Sequence, residues 1–228
     1  MDSGMKASPI RCLVSAGPTR EFFDPVRFLS NPSSGKMGFA LAGAAAARGW
    51  EVDLVSGPVN LATPPGVRRH DVVTGADMKS ALEGRFSACH ILLMTAAIMD
   101  YRPKNRAPRK VKKHRLAMSV EMEPVPDVLA GLAATRTDRQ LLVGFAAETE
   151  NLEAYARTKL EKKGVDFIVA NRIGGEESAF GRDTNRVLVL GREGARFSMG
   201  PAPKTDLAVE LLECFASRIP LDDTSSPR

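Results

Sequence analysis

Hydrophobic positions in this 228-residue chain fall into short apolar runs that alternate with longer amphipathic stretches. The runs are rich in Val, Ile and Leu, which is typical of strands buried on both faces. Predicted strands cover Arg11–Ala16, Glu51–Ser56, Arg68–Val73, His90–Ala96, Gln140–Ala146 and Asp166–Ala170. Predicted helices cover Met37–Arg48, Ala76–Glu83, Val125–Thr135 and Leu152–Lys163. Such alternation predicts an α/β fold with a mostly parallel sheet and helices on both faces.

The last fifty residues follow a different pattern. Two β-rich segments, Arg186–Leu190 and Ala195–Met199, flank Gly-Arg-Glu-Gly and predict an antiparallel hairpin. A final amphipathic helix is predicted over Lys204–Ile219, followed by a polar tail, 220–228, that we expect to be disordered. We therefore expect one domain over 1–228, with its core at about 11–219.

Composition narrows the classes of protein that remain. No apolar run approaches the ~20 residues that span a bilayer, and the N-terminus lacks the apolar segment of a signal peptide. The three cysteines, Cys12, Cys89 and Cys214, form no close pair, so neither a disulfide framework nor a zinc site is indicated. We expect a reduced, cytoplasmic setting.

A basic segment follows the predicted strand at His90–Ala96. The strand is followed by one carboxylate, Asp100, and then by a loop with two prolines. Seven cations lie in that loop: Arg102, Lys104, Arg106, Arg109, Lys110, Lys112 and Lys113. A carboxylate past a strand end, next to a mobile cationic loop, suits a polyphosphate with its metal ion. A solvated basic loop or a nucleic-acid patch is the alternative, although no aromatic residues interleave the cations.

The first strand leads into a second candidate segment. Gly17 is followed by Pro18, so the segment is no GxGxxG fingerprint and a nicotinamide cofactor is disfavoured. Further on, Ser33 or Ser34 can cap the next helix, while Gly35 and Gly38 let a ligand approach the backbone. The positive end of that helix predicts a phosphate site.

Other candidate residues have plain structural alternatives. Asp127 can complement a helix dipole, Phe145 can pack in the core, and Lys159 with Lys163 can form a solvated stripe. The three histidines show no metal-ligand spacing, and no Ser/His/Asp triad can be assembled.

Taken in order, these segments resemble the phosphopantothenate–cysteine ligase (phosphopantothenoylcysteine synthetase) family. The motifs are SAGPTREFFDPVRFLSNPSSGKMG, EVDLVSGPV, TAAIMDYRP, KVKK, PDVLAG, VGFAAET and YARTKLEKKGVDFIVAN, which span most of the chain from Leu13 to about Ile219. The resemblance implies a Rossmann-like fold with a basic lid, and ligation through an acyl-cytidylate that consumes CTP with Mg²⁺. The bacterial appearance of the motifs favours CTP over ATP.

The resemblance also implies roles for individual residues. Lys110 would be the essential lid lysine, assisted by Lys113, and Asn31 would hold the acyl intermediate. Arg27, Asn31, Ala96 and Ala97 would bind the phosphopantothenate substrate. The nucleotide would be bound by Gly17, Ser33, Gly35, Gly38, Asp100, Lys110, Pro126, Asp127, Val128, Leu129, Phe145, Lys159 and Lys163. The metal ligands are left open.

Partners follow from the same resemblance. We expect a homodimer whose site borrows residues across the interface, with no nucleic acid or membrane partner. Because no decarboxylase precedes Leu13, a free-standing synthetase or an excised half is expected, with a separate decarboxylase as an additional partner. Two other functions remain open: a Rossmann-like oxidoreductase, which would bind NAD(P)(H), and a nucleic-acid-binding module, whose affinity would depend steeply on salt.

Overall fold

An eight-stranded sheet is the centre of the structure, a computed structural model that describes residues 8–112, 119–174 and 181–220. The strands are β1 (Arg11–Ala16), β2 (Arg20–Phe22), β3 (Phe28–Ser30), β4 (Glu51–Ser56), β5 (Val67–Asp71), β6 (Ile91–Met94), β7 (Tyr101–Pro103), β8 (Met122–Pro124), β9 (Leu141–Glu148), β10 (Phe167–Arg172), β11 (Thr184–Gly191) and β12 (Arg196–Pro203). The helices are α1 (Lys36–Ala47), α2 (Gly75–Phe86), α3 (Val128–Ala134), α4 (Leu152–Lys163) and α5 (Lys204–Ala216).

The order of strands in the main sheet is β5-β4-β1-β6-β9-β10-β11-β12. The first six pair in parallel, and β11 and β12 extend the sheet with antiparallel pairing. In chain order those six read 3-2-1-4-5-6, the order of doubly wound dinucleotide-binding folds. The predicted mostly parallel, Rossmann-like sheet is confirmed. In such sheets ligands bind where the winding reverses, here between β1 and β6.

Helices cover both faces because successive strand residues point to opposite sides. On one face Val14 and its neighbours pack with Leu41 of α1 and Phe215 of α5. On the other, Leu13 packs in a cluster with Met78 of α2 and side chains of α3 and α4. Five consecutive residues of β1 are buried, and because their side chains point alternately to the two faces, the strand contributes to both clusters.

Most predicted elements are present with shifted ends. The strands at Arg11–Ala16 and Glu51–Ser56 and the helix at Leu152–Lys163 have the predicted bounds. The helix predicted from Val125 begins only at Val128, because Pro126 precedes Asp127, which caps the helix. The last helix ends at Ala216, although Ile219 beyond it is still buried. Residues 221–228 of the predicted tail lie outside the described residues.

Two small hairpins were absent from the sequence prediction. Strand β2 pairs with β3, and β7 pairs with β8, each over three residues per strand. Such strands are too short for alternation to reveal them. They matter because the first hairpin leads into Asn31, and the connection between β7 and β8 carries Lys110.

No helix in the described ranges is long and apolar enough to cross a membrane.

Gly38 is a point where α1 touches the sheet. A Cβ at this position would lie 2.4 Å from Thr95 Oγ1 and 2.6 Å from Ala16 Cβ. We expect Gly38→Ala to destabilise the fold by about 1–3 kcal/mol, because overpacking forces the helix away from the strands. Urea unfolding measures this change.

The matched control is Gly84→Ala, in the interior of α2, where an added Cβ meets nothing within 4 Å. This change should stabilise the fold by about 0.5–1 kcal/mol through helix propensity. A Gly38→Ala variant as stable as the wild type would show that α1 does not depend on this close approach.

Candidate active site

A cavity of about 790 Å³ lies at the carboxyl ends of β6, β9 and β10, next to the start of α1. Its walls come from residues 31–38 before and within α1, 94–100 after β6, 125–129 at the start of α3, and 145–147 of β9. Further lining residues are Lys159, Lys163, Ile168, Asn171, Ile173, Gly181, Asn185 and Lys204. The position agrees with the ligand crevice expected where the winding reverses.

Most of the predicted site residues are brought together here. Fourteen of them line the cavity: Asn31, Ser33, Gly35, Gly38, Ala96, Ala97, Asp100, Pro126, Asp127, Val128, Leu129, Phe145, Lys159 and Lys163. Three described ones, Gly17, Arg27 and Lys110, are not among the lining residues. Lys113 lies outside the described residues. The roles predicted for all of these site residues remain predictions.

Helix α1 presents its amino end to the cavity. Its N-cap is Gly35, in the left-handed region at φ 76°, and no side chain caps the helix. The expected cap by Ser33 or Ser34 is therefore wrong: Ser33 Oγ only accepts a 3.4 Å bond from the Gly35 amide. With no acidic residue in the first turn, the positive helix end is left for an anion.

The loop after β6 is held by hydrogen bonds to the end of β1. Thr95 Oγ1 donates to the Ser15 carbonyl at 2.5 Å, and the Ala97 amide donates to the Gly17 carbonyl at 2.9 Å. Asn31 Nδ2 donates to the Ala97 carbonyl at 3.2 Å. Asn31 is thereby fixed beside the loop, and both backbone groups of Ala97 already have partners within the chain.

Gly17 lies beneath this loop rather than in the cavity wall. Its φ is +73°, and a Cβ there would lie 3.0 Å from both Gly57 O and Val59 Cγ1. Backbone conformation and this close approach therefore account for glycine at the end of β1.

One side of the cavity carries two lysine–carboxylate pairs. Lys163 contacts Asp127, which also accepts a 3.0 Å bond from the Ala130 amide as the cap of α3. Lys159 Nζ lies 2.7 Å from Glu148 Oε1, but no described group makes a hydrogen bond of good geometry to this buried oxygen. The charges of both lysines are thus partly balanced, and an anionic ligand would compete with carboxylates for them.

Arg27 contributes to a separate network that holds the segment containing Lys110. Arg27 donates to Asp24 Oδ2 through Nε at 3.0 Å and through Nη2 at 2.5 Å. The same Nη2 donates to the Val111 carbonyl at 3.0 Å, and the Val111 amide donates to Asp24 at 3.2 Å. Arg27 beside the fully buried Asp24 holds the pKa of that carboxyl well below its usual range. The exposed Lys110 is the residue before this anchored point.

The family model described as DNA/pantothenate metabolism flavoprotein C-terminal domain (DFP) matches residues 8–218. The chain belongs to this family. The family relationship inferred from the motifs is confirmed.

The DFP chain is 47% identical over 186 residues to the coenzyme A biosynthesis bifunctional protein CoaBC of Vibrio cholerae serotype O1, covering 81% of this chain and 47% of that protein. It spans about half the length of the curated relatives it matches. The solved C-terminal domain of a CoaBC protein is 39% identical with a TM-score of 0.78, covering 92% of this chain and 95% of that one. A Cab2 variant in complex with phosphopantothenate-cysteine, 17% identical, covers 92% and 87% at a TM-score of 0.75 and shares the fold.

Five polar residues of the DFP cavity were not predicted from the sequence: Lys36, Thr95, Asn171, Asn185 and Lys204. A usable signal existed for the two lysines, since each is the first residue of a helix, where a cation opposes the helix dipole. Asn171 lies within β10 and Asn185 within β11, where the pattern of the strand indicates only burial, so no comparable signal marked them.

We expect Asp24→Asn to lower the stability of this DFP domain at neutral pH, because the variant loses the ionic contact to Arg27. The pKa of Asp24 is lowered by folding, so its contribution is complete above the unfolded pKa of about 3.9 and is lost as the pH falls toward the folded value. The difference in Tm between wild type and variant should therefore shrink below about pH 4.

Thermal unfolding of both proteins from neutral pH to about pH 3 measures this difference. Asp138→Asn, at an exposed position, is the control and should leave Tm unchanged throughout. An Asp24→Asn deficit that is equally large in acid would show that the carboxylate charge is not what holds the network.

Proposed function

We propose that this DFP chain is a phosphopantothenate–cysteine ligase that uses CTP in coenzyme A biosynthesis. The observation that carries the proposal is the cavity at the carboxyl end of the sheet, where Asn31, the loop after β6, the α1 amino end and several lysines meet. The motif resemblance and the names of the CoaBC relatives support the substrates.

In the proposed first step, a carboxylate oxygen of phosphopantothenate attacks the α-phosphorus of CTP. The bond from that phosphorus to the bridging oxygen of the β-phosphate breaks, and pyrophosphate leaves from the acyl-cytidylate. Negative charge on the leaving group rises in this step, so nearby cations accelerate it. We propose that Lys159, Lys163 and the α1 amino end, which all lie in the cavity wall, supply this positive charge.

In the second step, the amine of cysteine attacks the acyl carbon and CMP departs with the oxygen that came from the carboxylate. The amine loses a proton to solvent as the amide forms. We propose that Asn31 positions the acyl group, because its amide is fixed against the carbonyls of Ala97 and Ile98 within the cavity. Holding the acyl-cytidylate away from water protects it from hydrolysis.

Mg²⁺ is proposed to enter with the nucleotide. Proteins usually hold Mg²⁺ through one or two carboxylates together with substrate phosphates. Within the described residues no cluster of three or more His, Cys, Asp or Glu could hold a metal alone, but Asp100 lies exposed in the cavity wall. Asp100 could therefore hold the ion together with the phosphates of the nucleotide, and the bound ion would neutralise phosphate charge.

Lys110 is proposed to act from the segment anchored at Val111. Its side chain is exposed and outside the cavity lining, so reaching the nucleotide requires movement of the segment toward the cavity. The network at Asp24 and Arg27 fixes the residue next to Lys110 and so limits the range of that movement.

Nucleic-acid binding is less well supported by the same segment. Arg102 pairs with Glu123 and Lys104 pairs with Glu121 across the β7–β8 hairpin, and Arg106 lies over the Phe22 ring. The three cations engaged in these contacts are less available to bind the phosphate backbone of a nucleic acid.

A homodimer is proposed, with its contact on the β2–β3 hairpin. Val26, Phe28 and Leu29 are exposed there, at 56%, 39% and 39%, and Tyr101 of the adjoining β7 is 56% exposed. Neighbouring exposed apolar side chains are typical of subunit interfaces. Arg27 lies on this hairpin and does not line the cavity of its own subunit, so in the proposed dimer it would contribute to the site of the partner subunit.

The cytoplasm is the proposed compartment, in agreement with three free cysteines.

Lys110→Gln should lower the rate of CMP release by about 100- to 1,000-fold, because one cation is withdrawn from the developing phosphate charge. The assay contains phosphopantothenate, cysteine, Mg²⁺ and either CTP or ATP. Lys79→Gln, on the exposed side of α2, is the matched control and should retain the wild-type rate.

The same assay decides the nucleotide. AMP formed in place of CMP would keep the ligase but overturn the choice of base. No nucleoside monophosphate from either triphosphate would contradict the proposed function.

Val26→Glu should convert the wild-type dimer into a monomer, because it places a charge in the apolar contact. Sedimentation velocity measures the mass. Val209→Glu, at a valine 44% exposed on α5, is the control and should remain dimeric. A wild-type monomer, or a dimer that Val26→Glu leaves intact, would refute the proposed interface.

A further inference from the structure

Two lysines of the cavity wall occupy positions that are unfavourable without an anion. Lys36 begins α1 and Lys204 begins α5, so each ammonium group belongs to a helix whose amino end carries partial positive charge. Both side chains line the cavity, and neither was assigned a role above.

A short segment, 181–183, joins the two lysines. Lys36 Nζ donates to Asp183 Oδ1 at 2.6 Å and to the Gly181 carbonyl at 3.2 Å. Lys204 Nζ donates to the Arg182 carbonyl at 2.6 Å, and its backbone amide donates to the Asp183 carbonyl at 2.8 Å. Both ammonium groups are thus held on one stretch of the cavity wall.

Among the described residues, Asp183 is a carboxylate that faces both ammonium groups, and its exposed position limits how much of their charge it offsets. Its side chain is 86% exposed, so solvent weakens its attraction for the lysines. Lys204, in contrast, is only 8% exposed. Burial and the nearby Lys36 lower the pKa of Lys204, whereas Asp183 raises it. A buried cation beside a second cation is the arrangement that a bound polyanion would stabilise.

The part of the wall formed by Lys36 and Lys204 adjoins the amino end of α1, which is the proposed place for phosphate. Lys36 directly follows Gly35, the uncapped start of α1, and Gly35 and Gly38 line the same cavity. A nucleotide whose phosphates reach α1 therefore has Lys36 and Lys204 further along the cavity wall. The predicted nucleotide contacts Asp127 and Lys163 lie at the start of α3 and on α4, which pack on the other face of the sheet, so phosphates that extend from there toward α1 bring their far end to these two lysines.

We propose that Lys36 and Lys204 bind the two phosphates that leave as pyrophosphate. The inference rests on the proposed ligase function and assigns its leaving-group subsite. The lysines would hold the β- and γ-phosphates of the bound triphosphate and stabilise the charge that develops as the bond to the α-phosphate breaks. Asp183 would hold Lys36 in place while the subsite is empty.

A purely structural role is the alternative, in which both lysines only fasten segment 181–183 to the helices. The two roles differ in ligand selectivity. A subsite for the leaving phosphates affects binding of pyrophosphate and CTP but spares CMP, which lacks those phosphates. A structural fastening affects all three ligands alike, or none.

Calorimetric titration of the full chain with inorganic pyrophosphate, CTP and CMP separates these roles. Lys36→Met and Lys204→Met should each weaken pyrophosphate and CTP binding by about 10- to 100-fold, the effect of one charged hydrogen bond, and change CMP binding less than twofold. Methionine keeps the apolar stem of the buried lysine. Lys79→Met, on α2, is the matched control and should bind all three ligands like the wild type.

Asp183→Asn should change pyrophosphate affinity in the opposite direction to the lysine variants. Because it removes the carboxylate that competes for Lys36, pyrophosphate should bind several-fold more tightly than to the wild type. The position is exposed, so this variant tests the inference even where Lys204→Met fails to fold.

Failure of wild-type protein to bind pyrophosphate would overturn the inference. Folded lysine variants that bind pyrophosphate normally, or that lose CMP equally, would also overturn it. The predicted pattern in a protein that forms no phosphopantothenoylcysteine would uphold this anion subsite and refute the ligase. A working ligase without the pattern would uphold the function and refute the subsite.

Discussion

The hydrogen bonds that join the end of β1 to the loop after β6 determine the rest of the site. Ser15 and Gly17 accept from Thr95 and Ala97, which ties together two strands whose following helices cover opposite faces of the sheet. The crevice opens between those helices, and Asn31 is fixed on the same loop. With Gly38 allowing α1 to touch the sheet, the amino end of that helix is delivered to the crevice. The fold itself thus brings the positive end of a helix to the crevice, which is the basis of the proposed anion site.

Lysines on the cavity wall are paired with carboxylates that a bound phosphate could replace. Lys163 is held by Asp127, Lys159 by Glu148 and Lys36 by Asp183, so these three cations have carboxylate partners within the chain. Such pairs fix the lysines in position and limit the cost of gathering like charges. A phosphate that displaces these partners gains charge-assisted bonds, and its departure lets the pairs form again. Such replacement of one partner by another suits the proposed reaction, in which pyrophosphate and CMP must leave the cavity.

Much of the fold could be predicted because strands buried on both faces and amphipathic helices have distinct periods, as at Arg11–Ala16 and Leu152–Lys163. The hairpins β2–β3 and β7–β8 could not, since three-residue strands carry no readable period. Site residues within motifs, such as Asn31 and Asp127, converge as the strand ends require. Lys204 could be recognised as an unusual cation at a helix start, but its place in the cavity depends on α5 packing beside α1, a long-range contact that no local pattern encodes.

The central claim, ligation through an acyl-cytidylate, is tested most directly by following oxygen from the substrate carboxylate. Phosphopantothenate labelled with ¹⁸O in its carboxylate would be turned over with CTP, Mg²⁺ and cysteine, and the products analysed by mass spectrometry. A reaction through an acyl-cytidylate should leave one ¹⁸O atom in the phosphate of CMP and none in pyrophosphate. Label in inorganic phosphate with release of CDP, or CMP formed without label, would contradict it, because the carboxylate would then not have attacked the α-phosphorus.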